Sequence, residues 1–507
     1  MISVNRFVAT ACILLSVSCN QIQKNKSHQQ TSNASIKAGK NLAVQYCGSC
    51  HQVPDPSLVD SKSWENGVLP EMGPRLGIFY YGYKAYPSFR NDFNVVNYYP
   101  KQQVISFENW QNILDYYTAT SPDSLLPAKK TVAITINDKL FQPIKPSFAY
   151  STPATSFVKI EPDNQLLMCD AFAKKLFVFD DNLQLKDSLK MPGSVTDVIE
   201  DSGKLILCNT GILNPNNGKF GSIETASLTD TSNKKTVFKN LMRPVQITKA
   251  DLNKDGKDDY LVCEFGNLFG ALSWLEQNDT GYVRHVIRAV PGAINAYVDD
   301  YNHDGLPDIW ALFAQGNEGI FLFTNKGNGE FDTKQVLSFP PSYGSSSFEL
   351  DDFNKDGFPD IVYTCGDNAD YSAILKPYHG VYIFMNDGKN NFTQKYFYPI
   401  NGCYKAIAKD FDGDGDLDIA TISFFADYAH QPEEGFVYLK NNGNLSFTPY
   451  SLEAAKYGRW LTMDAGDVDG DGKTDLMLGN FSIVGKMMHS SIDWKQQPPF
   501  LILKNIQ

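Results

Sequence analysis

The chain has 507 residues, and its 57 Asp and Glu outnumber its 45 Lys and Arg, which gives a formal charge of −12. No basic patch of useful size accompanies this acidity, which argues against nucleic-acid binding, so we expect no nucleic-acid partner. The acidity is concentrated in a few short loops of the C-terminal part, where five divalent cations would lower the charge to about −2.

The first predicted element is an export signal. Arg6 ends a short basic segment, and the apolar run at 7–18 is too short to span a bilayer. The small residues before Cys19 resemble a bacterial lipoprotein signal. This resemblance implies a signal peptide over 1–18, lipidation of Cys19, and a periplasmic or outer-membrane lipoprotein of a Gram-negative bacterium, attached to the membrane through its lipid anchor. The alternative is cleavage near the same point with an unmodified cysteine.

The segment after the signal has almost no apolar residues. Between residues 20 and 37 it consists mainly of Gln, Asn, Ser and Lys, and such a composition cannot bury a core. We therefore predict a lipidated N-terminus and a flexible tether of modest reach over 19–37.

The motif CGSCH carries Cys47, Cys50 and His51. A cysteine pair at this spacing can form a disulfide or supply half of a zinc site, but no other Cys or His lies between His51 and Cys169 to complete a zinc site. A histidine directly after the pair is typical of c-type haem attachment. We predict that both thiols bind haem c covalently and that His51 is the proximal iron ligand.

Met72 is the only methionine between His51 and Met168, and we predict that it is the distal iron ligand. A methionine in this role raises the reduction potential of an electron carrier. The segment VLPEMGPRLG resembles the haem-facing loop of small bacterial cytochromes c, although Gly-Pro follows the methionine here instead of preceding it. Two alternatives stay open: Met72 in the core with five-coordinate iron, or a lysine ligand, Lys84 or Lys101.

The last predicted element of this domain is an amphipathic helix in SFENWQNILDYYTAT, with Ser106 as its N-cap. Its apolar face repeats at three- and four-residue spacing through Phe107, Trp110, Ile113, Leu114 and Tyr117. The segment SPDSLLP ends the helix, so we predict a small all-α cytochrome c domain over 38–127.

The C-terminal part contains five copies of one acidic loop, and such self-similarity indicates a repeat architecture. The copies are DLNKDGKDD from Asp251, DYNHDGLPD from Asp300, DFNKDGFPD from Asp352, DFDGDGDLD from Asp410 and DVDGDGKTD from Asp467. Each has Asp or Asn at positions 1, 3 and 5, glycine at position 6 and Asp at position 9.

This pattern predicts calcium as a second cofactor. Ca²⁺ takes about six to eight oxygen ligands, and a tight loop can aim alternate side chains at one point, with glycine at position 6 permitting the turn. The absence of Glu at position 12 excludes an EF-hand. The predicted ligands are Asp251, Asn253, Asp255, Asp259, Asp300, Asn302, Asp304, Asp308, Asp352, Asn354, Asp356, Asp360, Asp410, Asp412, Asp414, Asp418, Asp467, Asp469, Asp471 and Asp475.

The segments around the loops read as β-strands. A short apolar run follows each loop, as in DIVYTC, and two further strands joined by an Asn/Gly turn come next. This arrangement resembles the FG-GAP and VCBS-type repeats of integrin-like β-propellers, in which the loop joins the first two strands of a blade. Two similar units without calcium ligands precede Asp251, so we predict a mainly β chain with a seven-bladed calcium-binding propeller over 128–507.

The last unit has only three strands, which leaves the ring without its final outer strand. The strand-like run at 130–136 lies just before the first unit. We predict that 130–136 fills the vacant position and closes the ring, because an open seam would expose unpaired backbone. This closure would place the haem domain beside the last blade.

The loops on the face opposite the calcium loops, here called the top face, carry mixed polar residues on a rigid scaffold. They include Asp367, Asp370, His379, Asp427, His430, Glu433, Lys486, His489 and Trp494, with Arg243, Lys405, Arg459 and Trp460 on the segments that enter the first strands. A pocket among these residues would suit an anionic or sugar-like ligand.

Taken together, these patterns predict an exported c-type cytochrome that transfers single electrons with a redox protein partner, while the propeller binds a partner, a small molecule or a glycan. The chain shows no nucleophile elbow, dinucleotide fingerprint or separate pair of catalytic carboxylates, so no catalytic residues are predicted. Two alternatives stay open: a haem-linked dehydrogenase whose substrate binds the top face, and a glycan-binding or adhesion module.

Overall fold

The computed structural model describes residues 32–81, 84–85, 98–201, 203–227, 234–369, 372–483 and 492–507. The predicted signal peptide, Cys19 and the tether up to residue 31 lie outside the described residues, as do Asp370, Lys486 and His489. A small helical domain comes first, and a large β unit follows it.

Among the described residues, the N-terminal domain contains four α-helices, several short 3₁₀ or π turns and one two-stranded hairpin. In chain order the α-helices and the hairpin strands are α1 (Asn33–Tyr46), α2 (Ser61–Ser63), α3 (Leu69–Met72), β1 (Tyr80–Tyr81), β2 (Lys84–Ala85) and α4 (Phe107–Thr120). Within the described ranges, none of the helices combines the length and the apolar character that are needed to cross a bilayer.

Helix α1 begins earlier than predicted, so the tether boundary at 37 is wrong. The Ser32 hydroxyl accepts the backbone N–H of Ser35 at 3.0 Å and caps the helix. Its first turn carries few apolar residues, and this absence of periodicity hid the start of the helix. Further along, α1 packs so closely on α4 that a Cβ added to Gly39 would lie 1.8 Å from the Asn112 carbonyl oxygen.

Helix α4 follows the prediction at its N-cap and along most of its apolar face. The Ser106 hydroxyl accepts the N–H of Asn109 at 3.2 Å. Trp110, Ile113, Leu114 and Tyr117 are buried in the domain core. Phe107 is the exception, with 55% of its surface exposed, because it is the first residue of the helix and lies beyond the contact with α1.

Seven sheets of at least four strands make up the rest of the described chain. Two strands precede the blades, β3 (Thr135–Ile136) and β4 (Phe141–Ile144). Blade 1 consists of β5 (Thr155–Ile160), β6 (Leu166–Asp170), β7 (Lys175–Phe179) and β8 (Leu185–Lys190), and blade 2 of β9 (Ser194–Asp201), β10 (Lys204–Gly211), β11 (Gly221–Ala226) and β12 (Lys235–Leu241). Blade 3 consists of β13 (Pro244–Ala250), β14 (Asp259–Glu264), β15 (Ala271–Asn278) and β16 (Gly281–Arg288), and blade 4 of β17 (Ala293–Asp299), β18 (Asp308–Phe313), β19 (Gly319–Asn325) and β20 (Phe331–Ser338).

Blades 5 to 7 complete the ring. Blade 5 consists of β21 (Ser345–Asp351), β22 (Asp360–Cys365), β23 (Gly380–Asn386) and β24 (Phe392–Pro399), and blade 6 of β25 (Cys403–Lys409), β26 (Asp418–Ser423), β27 (Phe436–Asn441) and β28 (Phe447–Ser451). Blade 7 contains β29 (Trp460–Gly466), β30 (Asp475–Asn480) and β31 (Phe500–Asn505). The first strand of each blade contacts the first strand of the next, and β29 contacts β5. The predicted seven-bladed propeller is therefore confirmed.

The predicted closing strand is wrong in its residues. β4 pairs antiparallel with β31 and supplies the outer strand of blade 7, whereas β3 adds a parallel fifth strand to β28 in blade 6. The reason is Phe141 of β4, which is fully buried and makes edge contacts with the rings of Phe411, Phe436 and Tyr438 between blades 6 and 7. Both residues of β3 are exposed. The chain still closes the ring with an N-terminal strand, but that strand begins at Phe141.

A ring of side-chain hydrogen bonds joins the innermost strands. At each of the seven junctions, a side chain of one first strand bonds to the backbone of the next first strand, at 2.6 to 3.0 Å. In chain order the pairs are Ser156–Val195, Asp197–Ile247, Gln246–Ala296, Tyr297–Phe348, Glu349–Ala408, Lys405–Met463 and Asp464–Ile160. These bonds fix the spacing of neighbouring blades around the axis.

Two carboxylates of this ring are expected to make stability fall as pH rises. Burial raises the pKa of Glu349 to about 7 and that of Asp197 to about 6. Because the folded state holds these protons more tightly, the stability is fully present below the unfolded pKa and is lost as pH rises through the folded pKa. For Glu349 the loss is at most about 3 kcal/mol between pH 4.5 and 7.

The Glu349→Gln variant is expected to lack the part of the pH-dependent stability loss that Glu349 causes. An amide oxygen can still accept the Ala408 N–H, as the Gln246 amide does at another junction. Denaturant unfolding in calcium-saturated buffer from pH 5 to 8 should show a flatter stability curve for the variant than for the wild type. Parallel curves would mean that Glu349 does not titrate in this range.

The helical domain lies on the top face, against the ends of blades 3, 4 and 5, where Ser338 of blade 4 bonds to Gln52, and not beside the last blade as predicted. Ile374, between β22 and β23, packs against the apolar core of the domain. The Tyr378 hydroxyl donates to the Leu58 carbonyl at 2.9 Å. At blade 3, Tyr98 and Phe269 make an edge contact with ring centroids 5.2 Å apart. Such loop contacts have no periodic sequence pattern from which they could have been predicted.

Candidate functional site

The five aspartate loops share one backbone conformation. In each, the position-1 carboxylate accepts the N–H of the position-6 glycine at 2.8 to 2.9 Å, and the position-5 carboxylate accepts the N–H of position 7 at 2.9 to 3.0 Å. The position-6 glycines have φ between 81° and 92°, which favours glycine as the sequence predicted. Position 4 is also left-handed in all five loops, at Lys254, His303, Lys355, Gly413 and Gly470, which was not predicted from the sequence.

The position-9 aspartates anchor the loops to the blades. Asp259, Asp308, Asp360, Asp418 and Asp475 are at most 1% exposed. Each accepts a backbone N–H from a residue at or near the end of the third strand of its own blade. Burial raises the pKa of Asp360 and of Asp418 to about 6, and the neighbouring loop carboxylates add to this effect. A cation in the loop would oppose both causes.

The structure brings three of the predicted ligands together in each of the loops of blades 6 and 7. Carboxylate oxygens of Asp410, Asp412 and Asp418 lie within 4.8 Å of one another, and so do those of Asp467, Asp469 and Asp475. Blades 3 to 5 carry Asn253, Asn302 and Asn354 at position 3, where an amide oxygen takes the place of the carboxylate. The donor set of oxygens alone fits a hard cation such as calcium.

Two lysines lie against the densest of these clusters. Lys440, in β27, contacts the carboxylate of Asp412. Lys504, in β31, contacts the carboxylate of Asp469 and lies 3.4 Å from an oxygen of Asp471. An ammonium group at this position neutralises part of the charge that a divalent cation would otherwise balance, so lysine and cation compete for the same oxygens.

The Lys440→Met variant is therefore expected to bind calcium more tightly at the blade 6 loop, by roughly two- to fivefold. Methionine keeps the length of the side chain but cannot pair with Asp412. Calorimetric titration of calcium into the variant and the wild type measures the difference. Lys395→Met is the control, because Lys395 lies on β24 outside the loops. Unchanged affinity in Lys440→Met would mean that the lysine moves aside without cost.

The CGSCH motif lies directly after α1, where residues Cys47–Ser49 form a single 3₁₀ turn. Cys47 is half-buried, and burial raises the pKa of its thiol to about 11. Cys50 is exposed. Burial lowers the pKa of His51, whose Nδ1 lies 2.8 Å from the Gln52 carbonyl oxygen, so the imidazole is neutral and keeps a lone pair for a metal. The two thiols are unpaired in the structure.

Met72 and Cys47 lie on the same apolar cluster of the helical domain. Buried core residues such as Trp64 and Trp110 are fringed there by half-exposed apolar side chains, among them Met72, Cys47, Leu76 and Val53. The indole N–H of Trp110 is buried without a hydrogen-bond partner among the described residues. Half-covered apolar side chains, two thiols, a neutral imidazole and a thioether are the donors and the surroundings that haem c requires, so these residues fit the group.

Several predicted top-face residues are structural. Arg459 is 3% exposed, donates to the carbonyls of Phe424 and Ile483, and lies with its guanidinium 3.5 Å from the centre of the Phe424 ring. Trp460 is fully buried and donates to the Ala455 carbonyl. Lys405 belongs to the ring of interblade bonds. Arg459 and Trp460 are buried and Lys405 is bonded to the Met463 carbonyl, so these three do not form an anion pocket among the described residues.

The structure instead shows a cavity of about 440 Å³ between the linker that follows α4 and the top loops of blades 5 and 6. We call it the interdomain cavity. It brings together the predicted residues His379 and Asp427. It also includes Glu434, which is fully buried and pairs with Lys130 of the linker at 2.5 Å. The neighbouring Glu433 was predicted instead, because nothing in the loop sequence distinguishes the two glutamates.

Comparison with known proteins supports the propeller. A family model described as an FG-GAP-like repeat matches residues 300–363, from the blade 4 loop to the second strand of blade 5. Integrin alpha pat-2 of Caenorhabditis briggsae is 24% identical over 207 residues, which is 36% of this chain and 17% of that protein. Cartilage acidic protein 1 of Xenopus tropicalis is 30% identical over 183 residues, which is 33% of this chain and 26% of that protein. The predicted FG-GAP repeat is confirmed.

Solved structures with similar outlines have low sequence identity. A streptogramin B lyase structure has a TM-score of 0.46 at 13% identity, covering 72% of this chain and 98% of its own. The N-terminal domain of Nup159 has a TM-score of 0.43 at 12% identity, covering 75% of this chain and 99% of its own. The chain spans only about a quarter or less of the two curated relatives above. What those proteins bind is therefore not transferred to this chain.

Proposed function

We propose that the chain is an exported c-type cytochrome whose helical domain transfers single electrons and whose calcium-stabilised propeller binds a partner or ligand. The observation that carries the proposal is the position of Cys47 and Met72 on one apolar cluster, beside a CGSCH motif with a neutral histidine. Haem c, when bound, supplies a one-electron couple. The proposed redox partner is another protein.

Each residue of the helical domain has a distinct part in this proposal. The thiols of Cys47 and Cys50 would hold the porphyrin through thioether bonds. His51 and Met72 would be the protein ligands of the iron. With both ligands in place, the haem would supply one-electron transfer rather than oxygen chemistry. The half-exposed apolar side chains of the cluster would exclude water from the macrocycle.

The proposed compartment is compatible with both cofactors. Calcium sites of extracellular modules have dissociation constants of about 10⁻⁴ to 10⁻³ M, so loops of this kind are filled where calcium is abundant. Lipidation of Cys19 would attach the exported chain to a membrane, within the reach of a flexible tether. Together these features suggest a periplasmic or outer-membrane lipoprotein in which the cytochrome stays close to its redox partner.

Spectroscopy of the purified holo-protein tests this function. The reduced-haem absorption bands are followed while oxidised protein is mixed with reduced one-electron carrier proteins, and separately with sugars and alcohols. Reduction by carrier proteins alone is expected. Reduction by a sugar or alcohol alone would instead favour the dehydrogenase alternative, and a protein that no donor reduces would contradict both.

A binding or adhesion role for the propeller is the second candidate function. It is favoured by the FG-GAP-like repeat at 300–363 and by relatives whose names include an integrin. Binding to immobilised glycans or matrix proteins that requires calcium, and that is the same for oxidised and reduced haem, is the result expected of this role. Binding that persists after calcium removal would contradict it.

A further inference from the structure

Three large apolar side chains are exposed on the top face of blades 1 and 2, which the helical domain does not cover. Phe172 lies in the turn between β6 and β7, and Ile212 and Phe220 lie in the loop between β10 and β11. These side chains are 57%, 46% and 50% exposed. Apolar side chains that are exposed together on a folded protein indicate an interaction surface.

Backbone contacts make the two loops one continuous surface. The N–H of Met191, in the link between the two blades, donates to the Lys174 carbonyl at 2.8 Å. A Cβ added to Gly193 of the same link would lie 2.7 Å from the Gly211 carbonyl oxygen. A Cβ added to Gly211 would in turn lie 2.8 Å from the Cβ of Phe220. The turn of blade 1 therefore adjoins the loop of blade 2.

Lysines are the only charged residues in the segments that form this surface. Segments 171–175, 189–194 and 210–221 contain four lysines and no Asp or Glu. All four are exposed: Lys174, Lys175, Lys190 and Lys219. The carboxylates that flank the segments, Asp170 and Glu224, are buried. We call these lysines, together with Phe172, Ile212 and Phe220, the lysine–aromatic surface.

The lysine–aromatic surface is locally positive on a chain whose formal charge is −12. Its lysines come from separate segments, so the sequence contains no basic run that predicts it. The eight-residue strands β9 and β10 separate the top face from the opposite end of the propeller by about 25 Å. Charges interact weakly beyond about 8 Å at physiological ionic strength, so the acidic calcium loops do not cancel the lysines.

Hydrogen bonds hold both loops in fixed conformations. The Asp170 carboxylate accepts the N–H of Phe172 at 2.9 Å. In the other loop, the side-chain oxygen of Asn217 accepts the N–H of Leu268 in blade 3 at 2.7 Å. Leu268 precedes Phe269, which contacts the helical domain, so the surface borders that domain. Loops that are already ordered lose little conformational entropy on binding.

We propose that the lysine–aromatic surface docks on an anionic membrane. Its apolar side chains would enter the layer between headgroups and acyl chains, while the ammonium groups meet lipid phosphates. An acidic protein would also match the lysines, but it would need a separate hollow for each apolar side chain, whereas a fluid lipid layer adapts to all three. The docking goes beyond the electron-transfer function and would place the helical domain at the membrane.

Sedimentation with lipid vesicles tests the docking. The sample is the mature chain from residue 19 onward with Cys19→Ala, so that no acyl group contributes to binding. Vesicles contain phosphatidylcholine and phosphatidylglycerol in equal parts, and vesicles of phosphatidylcholine alone serve as the reference, all in calcium-saturated buffer. Saturable binding to the anionic vesicles that weakens with salt is expected. Equal binding to both kinds of vesicle, or no binding to either, would overturn the proposal.

Substitutions in the surface give the second readout. Lys174→Gln combined with Lys219→Gln should weaken vesicle binding by roughly 10- to 30-fold, because each lysine at an anionic membrane contributes about fivefold. Phe172→Ser combined with Phe220→Ser should weaken it by roughly tenfold, through the loss of buried apolar area. All four side chains are exposed, so the unfolding midpoint should stay close to that of the parent chain.

Matched controls lie at the opposite ends of the same two blades. Lys204→Gln, at the start of β10, and Leu185→Ser, at the start of β8, change exposed side chains and should leave vesicle binding unchanged. Vesicle binding that survives both pairs of surface substitutions would mean that calcium bridges the acidic loops to the lipid, and would overturn the proposal. Capture of soluble poly-L-glutamate without vesicle binding would overturn it in favour of an acidic protein partner.

Discussion

Replacing Cys47 and Cys50 together by alanine is expected to abolish covalent haem, from one haem per chain to none. Thioether attachment needs a thiol for each vinyl group. Cys50 is exposed, and half-buried Cys47 lies one turn away at the end of α1. Haem content is measured by absorption after denaturation, which retains only covalently bound groups, and by the intact mass of the chain purified from cells with a haem maturation system.

The matched control is Cys169→Ala. Cys169 is a buried free thiol in blade 1, far along the chain from the motif, and its loss should leave the haem content unchanged. A colourless wild-type chain would contradict the proposed cofactor. A coloured double variant would contradict the assignment of the two thiols.

Met72→His separates the axial ligand from the attachment. The variant should keep its haem but lower the reduction potential by roughly 0.2 V, a fraction of the ~0.8 V span that axial ligands set. Potentiometric titration followed by absorption measures the change. Met168→Leu, a substitution in the buried second strand of blade 1, should leave the potential unchanged. An unchanged potential in Met72→His would favour the five-coordinate or lysine-bound alternatives.

The acidic loops could be predicted in detail because their chemistry is local. Nine consecutive residues carry both the oxygens and the turn, so the sequence alone predicts a glycine turn followed by a strand; the structure has Gly256 at φ 83° and Asp259 as the first residue of β14. Even here one feature escaped. Lys254, His303 and Lys355 adopt left-handed backbone at position 4, which non-glycine residues seldom do, and only the glycines of the last two loops hinted at it.

Ring closure shows where local patterns fail. The run at 130–136 has the β-branched alternation of a strand, whereas FQPI contains Pro143, a residue that strand interiors avoid. As an outermost edge strand, β4 has one side unpaired, which makes the proline tolerable there. Burial of Phe141 between two blades then decides the pairing. The rings that bury Phe141 lie about 270 to 300 positions further along the chain, so a short stretch of sequence around residue 141 does not include them.

The interdomain cavity could not be predicted from local sequence patterns for the same reason. Its walls come from the linker, from blade 5 and from blade 6, and His379 became a candidate only through its residue type. The choice between Glu433 and Glu434 depends on a short 3₁₀ turn at Pro432–Gly435 that buries the second glutamate and leaves the first partly exposed. A one-residue difference in such a turn has no signature in hydrophobic periodicity.

Removing calcium is expected to destabilise the propeller by on the order of 10 kcal/mol if all five loops bind it, since each site saturated a hundredfold contributes about 3 kcal/mol. Without the cation, three carboxylates in blade 6 and three in blade 7 lie within 4.8 Å of one another, and burial of Asp418 and Asp475 adds to the cost of their charge. Denaturant unfolding with and without a chelator, followed by strand circular dichroism, measures the loss.

Single-loop variants show whether that loss comes from the loops. Alanine at Asp414 and Asp471, the exposed position-5 residues of blades 6 and 7, removes a ligand without disturbing the buried position-9 aspartates. Calcium bound per chain should fall by one in each variant and by two when the substitutions are combined, and the calcium-dependent part of the stability should fall in proportion. Asp181→Ala, at an exposed turn of blade 1, is the control and should bind the full number of ions. Magnesium should not replace calcium, because it requires six ligands in near-octahedral geometry at shorter distances. An unfolding midpoint that ignores the chelator would contradict calcium binding itself, because the carboxylates clustered in blades 6 and 7 carry more negative charge than Lys440 and Lys504 balance.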